Sequence, residues 1–369
     1  MRISYILNSS LPSNNASSLQ VIKTSEALAT LVDKVFLITP DTGLNKSIKN
    51  FYDLKSYPKR IRLKFFKKFP QGINYYLFSL MSIYKALKLK TDIYITRNLF
   101  TLILLNILKK KVIIEIHHDL SNEGRLVKFL FKNFNILNSK NILKIVAITK
   151  SVKNFLIKDL KVEKNKIQII PSASSLKIKF SKLYKRKKYN IGYFGSLEKS
   201  KGSDFVIQMS KLDVNNEYFI YGGSPEAIKR LRKKTLNNNI CLQEHISYKD
   251  LKNHIKKMDV LLMPSNKKLV KSLGGVGNIA KYTSPLKLFD YLASGKLIYL
   301  SDLKVLNEII ENKKNCIVIN KLNPYIWCNH IQKISKNLKK INILKKNAYN
   351  LSKDYTYDKR AQQILENIN

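Results

Sequence analysis

Apolar residues recur along this chain in two rhythms, and the alternation between them predicts its elements. Short solid runs such as 2–7 (Arg-Ile-Ser-Tyr-Ile-Leu) read as buried strands. Residues 17–31, with Leu19, Ile22, Ala27 and Leu28 at helical spacing, read as a helix, and 35–39 reads as the next strand. Strand, polar loop, helix, strand is the opening of a parallel α/β sheet. The same plan predicts strands at 92–96, 111–116, 145–149 and 167–171, with a buried helix at 99–108 and another helix at 150–159. Residues 172–189 are polar and basic and read as an interdomain connection. Beyond them the rhythm restarts: a strand at 190–194 enters a Gly turn, a helix runs over 203–212, and strands follow at 218–221 and 260–264. Two such lobes imply a site between them.

Residues 281–303 carry the clearest punctuation. Ser284 is a good N-cap, Pro285 suits a first helical position, and Gly295 suits a left-handed stop, which predicts a helix over 285–294 and a strand directly after it. The amides and positive dipole end near Thr283 to Leu286 form a natural seat for phosphate. Lys287 and Asp290, three apart, share a face, so that a cation beside phosphates and a carboxylate beside sugar hydroxyls fit a nucleoside diphosphate. The alternative is an ordinary helix with a solvated Lys287–Asp290 pair. The loop at 8–16 holds no glycine, which excludes a dinucleotide fingerprint there. Gly274, Gly275 and Gly277 read as a flexible loop over the site. His117 and His118 follow the strand at 111–116, at the end where open α/β sheets collect functional groups, and an imidazole there can bond a sugar hydroxyl or assist proton movement.

Composition changes this picture in a few respects. A chain of 369 residues fits two domains. Lys and Arg number 68 against 25 Asp and Glu, a net charge of +43 that attracts nucleic acid, anionic lipid or phosphorylated substrates. The excess is spread along the chain and assigns no partner by itself. Residues 59–89 concentrate it, interleaving Lys59, Arg60, Arg62 and Lys64 with Phe65, Phe66, Phe69 and Tyr75, as expected of contact with an anionic membrane surface, although Gln71-Gly72 is read as a break in any long helix. Cys241, Cys316 and Cys328 have no metal-ligand spacing, no D-x-D tripeptide occurs, and no apolar run approaches the ~20 residues of a bilayer span. The expectation is a cytoplasmic protein, peripheral at most on the inner face of a membrane, with no metal and no cofactor.

With these residues in view, the chain resembles the glycosyltransferases of the two-lobed GT-B architecture, specifically the retaining group called family four. Gly195-Ser196-Leu197 followed by Lys201-Gly202 is similar to the family's turn bearing an Arg and a Lys for the donor diphosphate, with Ser196 standing where the Arg is usual. Ser284-Pro285-Leu286-Lys287 and on to Gly295 is similar to the segment ending in the second acid of the E-x7-E motif, with Asp290 in that place and Tyr282 at the first acid. The resemblance implies two Rossmann-like lobes facing a cleft, an acceptor lobe of 1–175 plus a crossing helix at 352–369, and a nucleotide-sugar lobe of 176–351. It implies diphosphate binding by Gly195, Ser196, Lys201, Ser284, Pro285, Leu286 and Lys287, ribose binding by Asp290, and a donor sugar near Tyr282 and Thr283. His117 or His118 takes the place of a catalytic His.

The activity so implied is transfer of a sugar from a nucleoside diphosphate sugar to a glycan or lipid-linked acceptor, with retention, in cell-surface polysaccharide or lipopolysaccharide assembly. No specific nucleic acid is expected. The alternatives are a non-catalytic polyanion-binding protein on the same frame, whose ligand is nucleic acid or anionic lipid, and a sugar-nucleotide epimerase.

Overall fold

The computed structural model describes residues 1–41, 47–56, 58–64, 71–233, 235, 237–271 and 278–368. The chain divides into two compact units, Met1–Ser172 with Tyr357–Asn369, and Ala173–Thr356. The first contains a seven-stranded parallel sheet of β1 (Arg2–Ile6), β2 (Lys34–Asp41), β3 (Lys59–Lys64), β4 (Ile93–Thr96), β5 (Val112–Ile116), β6 (Ile142–Ala147) and β7 (Ile167–Ile169), in the order 3-2-1-4-5-6-7. The second contains a six-stranded parallel sheet of β8 (Asn190–Phe194), β9 (Glu217–Tyr221), β10 (Ile240–Gln243), β11 (Val260–Met263), β12 (Leu297–Ser301) and β13 (Ile317–Ile319), in the order 10-9-8-11-12-13. Each order reverses beside its first strand, between β1 and β4 and between β8 and β11. In open parallel sheets ligands bind outside the carboxyl ends at such a reversal.

The central strands β8, β11 and β12 of the second unit are mostly apolar because both of their faces are covered. Ile191, Tyr193, Val260, Leu262, Leu297 and Tyr299 enter one core with Trp327. Their neighbours Phe194, Leu261, Met263, Ile298 and Leu300 enter the other, against the helix Leu286–Ser294. The period of two thus sorts each strand between two helical layers. In the first unit the last helix, Tyr357–Leu365, packs on the helix Ala16–Leu28, so the end of the chain returns to the unit where it began.

Three expectations need correction. Residues 59–89 are not one continuous element: Lys59–Lys64 is a strand at the sheet edge, and Gln71 and Gly72 lie within the 17-residue helix Gln71–Leu87. Phe65, Phe66, Lys67, Lys68 and Phe69 lie outside the described residues, as do Gly274, Gly275 and Gly277. The interdomain connection expected at 172–189 starts where the two units divide but is packed rather than polar throughout, with Ile178, Leu183 and Tyr189 buried in the second unit's cores. The helix expected at 285–294 starts one residue later, with Pro285 as the N-cap in extended conformation and no side-chain cap bond from it. Proline lacks the N–H a helical position would use, so it serves equally well just outside the first turn.

Candidate active site at the sheet reversals

The ladder between β8 and β11 closes only at its start, pairing Ile191 with Val260 and Gly192 with Leu261. Beyond that the strands part, and Tyr291 from the helix Leu286–Ser294 occupies the opening. Its buried hydroxyl accepts the Phe194 N–H at 2.9 Å and donates to the Leu262 carbonyl at 3.4 Å, satisfying one group from each strand. The turn after β8 then lies against the turn after β9. A Cβ on Gly222, whose φ is +148°, would meet the Gly195 carbonyl oxygen at 1.9 Å, so only glycine permits this approach. On the other side the 3-10 turn Lys199–Lys201 is tied to the loop after β11, where the Asn266 N–H donates to the Ser200 carbonyl at 2.8 Å.

Two polar atoms in this crevice have no hydrogen-bond partner among the described residues. One is the Ser196 hydroxyl and the other is the Lys287 ammonium, both buried. The ammonium sits 4.2 Å from the centre of the Tyr193 ring, a cation–π contact, and 2.9 Å from where a Cβ on Gly195 would stand. Burial, then the nearby charge of Lys201, pushes Lys287 down to about 7. Lys201 is lowered too, by burial, with Glu198 opposing. Two cations converge on one buried spot, and among the described residues no carboxylate pairs with Lys287. A fold bears such a cost where an anion is to arrive.

Lys287 and Asp290 do not form a solvated pair. Asp290 is buried and its Oδ1 accepts from the Ser174 hydroxyl at 2.6 Å and the Tyr248 hydroxyl at 2.9 Å. The Tyr282 and Thr283 N–H groups both donate to the Ile279 carbonyl, at 3.0 and 2.9 Å. The seat at this helix start is therefore narrower than the sequence suggests, centred on Lys287.

In the first unit the strand end at His117 is organised by a residue the sequence reading passed over. Glu115 on β5 is buried and accepts from His117 Nε2, from Arg360 on the last helix, and from Gln20 at 3.2 Å, with Arg97 Nε at 3.8 Å. Burial alone would raise its carboxyl, yet Arg360, His117 and Arg97 hold it well below the usual carboxylate range. His117 is pushed down to about 3 by burial and the Arg97 charge. The imidazole is thus neutral, with Nε2–H donated to Glu115 and Nδ1 as the lone-pair nitrogen. His118 differs, donating Nδ1–H to the Asp119 carbonyl at 2.6 Å.

Residues 174–351 match the family model of the glycosyl transferases group 1, which spans the second unit almost from end to end. The chain is a glycosyltransferase. No curated protein matches it. Among solved structures it is similar to HepE from Anabaena in complex with UDP-glucose, at 14% identity and a TM-score of 0.72, covering 99% of this chain and 98% of that one. It is also similar to sucrose-phosphate synthase from Thermosynechococcus elongatus, at 15% identity and a TM-score of 0.74, covering 98% and 96%. A TarM mutant from S. aureus in complex with fondaparinux, α-GlcNAc-glycerol and UDP gives 13% identity and a TM-score of 0.72, covering 100% and 99%. At these identities the likeness shows the fold, which is GT-B with two Rossmann-like units.

The structure of this glycosyltransferase brings Gly195, Ser196, Lys201 and Lys287 together in the second unit and sets His117 on a buried carboxylate in the first. Arg97, Gln20, Arg360 and Tyr291 were missed. A signal existed for the first three: the single Glu in Val-Ile-Ile-Glu-Ile is a charge in a fully apolar strand, which requires buried cations elsewhere in the chain. Among the described residues no group of three His, Cys, Asp or Glu is placed to hold a metal ion, and no helix is long and apolar enough to cross a membrane.

Proposed function

We propose that the chain transfers a hexose from a nucleoside diphosphate sugar to a glycan or lipid-linked acceptor. The observation that carries this reading is the pair of unpartnered buried atoms, Lys287 Nζ and Ser196 Oγ, beside Lys201 at the β8/β11 reversal. The diphosphate lies there, and the two ammonium groups stabilise its growing negative charge as the glycosidic bond breaks, with no metal assigned to that task. Ser196, Gly195 and the helix start at Ser284, Pro285 and Leu286 contribute hydrogen-bonding groups in this scheme. Asp290 bonds the ribose. A carboxylate offers about four acceptor sites, so Ser174 and Tyr248 take up part of that capacity while fixing its orientation. Tyr282 and Thr283 line the sugar end. HepE and TarM, whose structures hold UDP, support a uridine donor.

The first unit supplies the acceptor side, through His117. An imidazole that resists protonation until about pH 3 does not store the acceptor proton near neutrality. Its role is to accept a hydrogen bond from a sugar hydroxyl through Nδ1 and hold it in line. Retention of anomeric configuration, and a place in surface polysaccharide or lipopolysaccharide assembly, belong to the same reading.

Lys201→Ala tests the donor site. UDP should raise the melting temperature of the native protein, and the variant should bind it about tenfold more weakly. Failure of any nucleoside diphosphate to stabilise the native protein at millimolar concentration overturns the reading.

Work beside a cytoplasmic membrane face is part of the proposal. The helix Gln71–Leu87 exposes Ile73, Leu80, Tyr84 and Leu87 beside Lys85, and Lys88 lies 4.2 Å over the Tyr84 ring, an arrangement suited to headgroup depth. Pelleting with phosphatidylglycerol vesicles but not with phosphatidylcholine vesicles is the expected result. Equal recovery with both would remove the membrane from the scheme.

A further inference from the structure

A second basic cavity lies in the second unit, at the opposite end of the strands from the β8/β11 crevice. It encloses about 380 Å³ and is bordered by Asn190 at the start of β8, Asp259 just before β11 and Lys296 just before β12. One strand length, on the order of 15 Å, separates it from the carboxyl-end site. Six cationic side chains line it: Lys182, Arg186, Lys256, Lys257, Lys296 and Lys345. Asp259 is its one carboxylate.

Two of these cations, Lys296 and Lys345, are built into the interior, while the other four stand exposed at its rim. Lys296 and Lys345 are 8% and 2% exposed. Lys296 donates to the Lys256 carbonyl at the end of the helix Tyr248–Lys256 at 2.8 Å, and Lys345 donates to the Ser181 carbonyl at 3.0 Å. An ammonium carries three N–H groups, and each of these bonds takes one. Asp259 is committed as well, its Oδ2 accepting the Asn190 N–H at 3.0 Å and its Oδ1 standing 3.7 Å from Arg186 Nε. Burial, and then the charge of Lys296, push Lys345 down to about 8; Asp259 opposes and Arg186 adds to the shift. At Lys345, beside the cavity's carboxylate, the charges of Lys296 and Arg186 together outweigh that of Asp259.

We propose that this cavity binds a compound bearing a phosphate or diphosphate group, separately from the donor sugar nucleotide. A compact ion with several negative charges relieves the repulsion where a single carboxylate does not, and Arg186 offers the planar fork suited to phosphate oxygens. The buried lysines contact the inner oxygens, while the exposed Lys182 and Arg186 close over the outer ones. Two sources supply this chemistry, a soluble phosphorylated compound and a phospholipid headgroup.

The experiment uses the full chain carrying Lys201→Ala, so that the carboxyl-end site is weakened, and titrates inorganic pyrophosphate while following thermal melting. Saturable stabilisation is expected, with a midpoint that moves about tenfold or more to higher concentration when Lys182→Ala and Arg186→Ala are added. Both residues are exposed, so the variant should fold, and retained stabilisation of the Lys182→Ala, Arg186→Ala protein by UDP confirms it. An unmoved midpoint overturns the proposal, as does an equal rise in sodium chloride of matched ionic strength. A vesicle arm separates the sources: pelleting with phosphatidylglycerol that is lost in the double variant assigns a headgroup, and pelleting that persists while the pyrophosphate midpoint moves assigns a soluble compound.

Discussion

Replacing Lys287 with Met is expected to stabilise the protein while removing its activity. The variant should gain about 2 kcal/mol, or about 5 °C in the melting of the second unit, and lose about 100-fold or more in turnover. The gain follows from proton linkage. Lys287 is brought from 10.5 down to about 7 in the folded chain, so between these values the unfolded chain holds a proton that the folded one does not. Stability from this group therefore rises with pH across that window, and the cost is fully present below about pH 7. Methionine fills a similar space over the Tyr193 ring without the charge. The loss follows because an arriving diphosphate needs the ammonium. UDP affinity of the native protein should weaken by about tenfold per pH unit above 7, one proton being taken up on binding, and Lys287→Met should flatten that slope. Calorimetric titration of UDP at several pH values measures both. A variant destabilised and still active would show that the ammonium serves packing alone.

Glu115→Gln should act in the opposite sense on the first unit, lowering its stability by about 3–5 kcal/mol in urea unfolding. Size is kept and charge is removed, which leaves Arg360, at 2% exposure, without its counter-ion. The native protein should also be acid-labile. Glu115 has its folded pKa far below the unfolded value of about 4.5, so the stability it contributes is present above that value and is lost as pH falls. His117 adds to the effect, since the unfolded imidazole takes a proton near 6.5 and the folded one only near 3. Stability should decline progressively below about pH 6.5. In Glu115→Gln the part of that decline below pH 4.5 should shrink, and an unchanged profile would mean that Glu115 does not govern it.

Much of the fold was legible because each central strand is buried on both faces and so reads as a solid apolar run. The strands overlooked, β3, β10 and β13, all lie at sheet edges, where one neighbour is missing and the sequence is free to carry charge or to shorten. Lys201 and Lys287 were legible as candidates from their place beside a Gly turn and a helix start. Their shared burial was not, because it depends on Gly222 letting one turn lie against another and on Tyr291 filling the open ladder. Spacing along one helix likewise suggested that Lys287 and Asp290 would meet. Partners from distant segments, Tyr193 for one and Ser174 with Tyr248 for the other, drew them apart.

Arg360 follows Glu115 by 245 positions, and all of residues 173–356 lie between the two parts of the first unit. On the ribosome all seven strands of the first sheet thus emerge, with the Glu115 carboxylate among them, before its guanidinium has been made. Chains arrested before residue 360 would display a first sheet whose buried carboxylate has no guanidinium and whose closing helix is missing, which gives quality-control proteases a direct way to tell an incomplete polypeptide from a finished one.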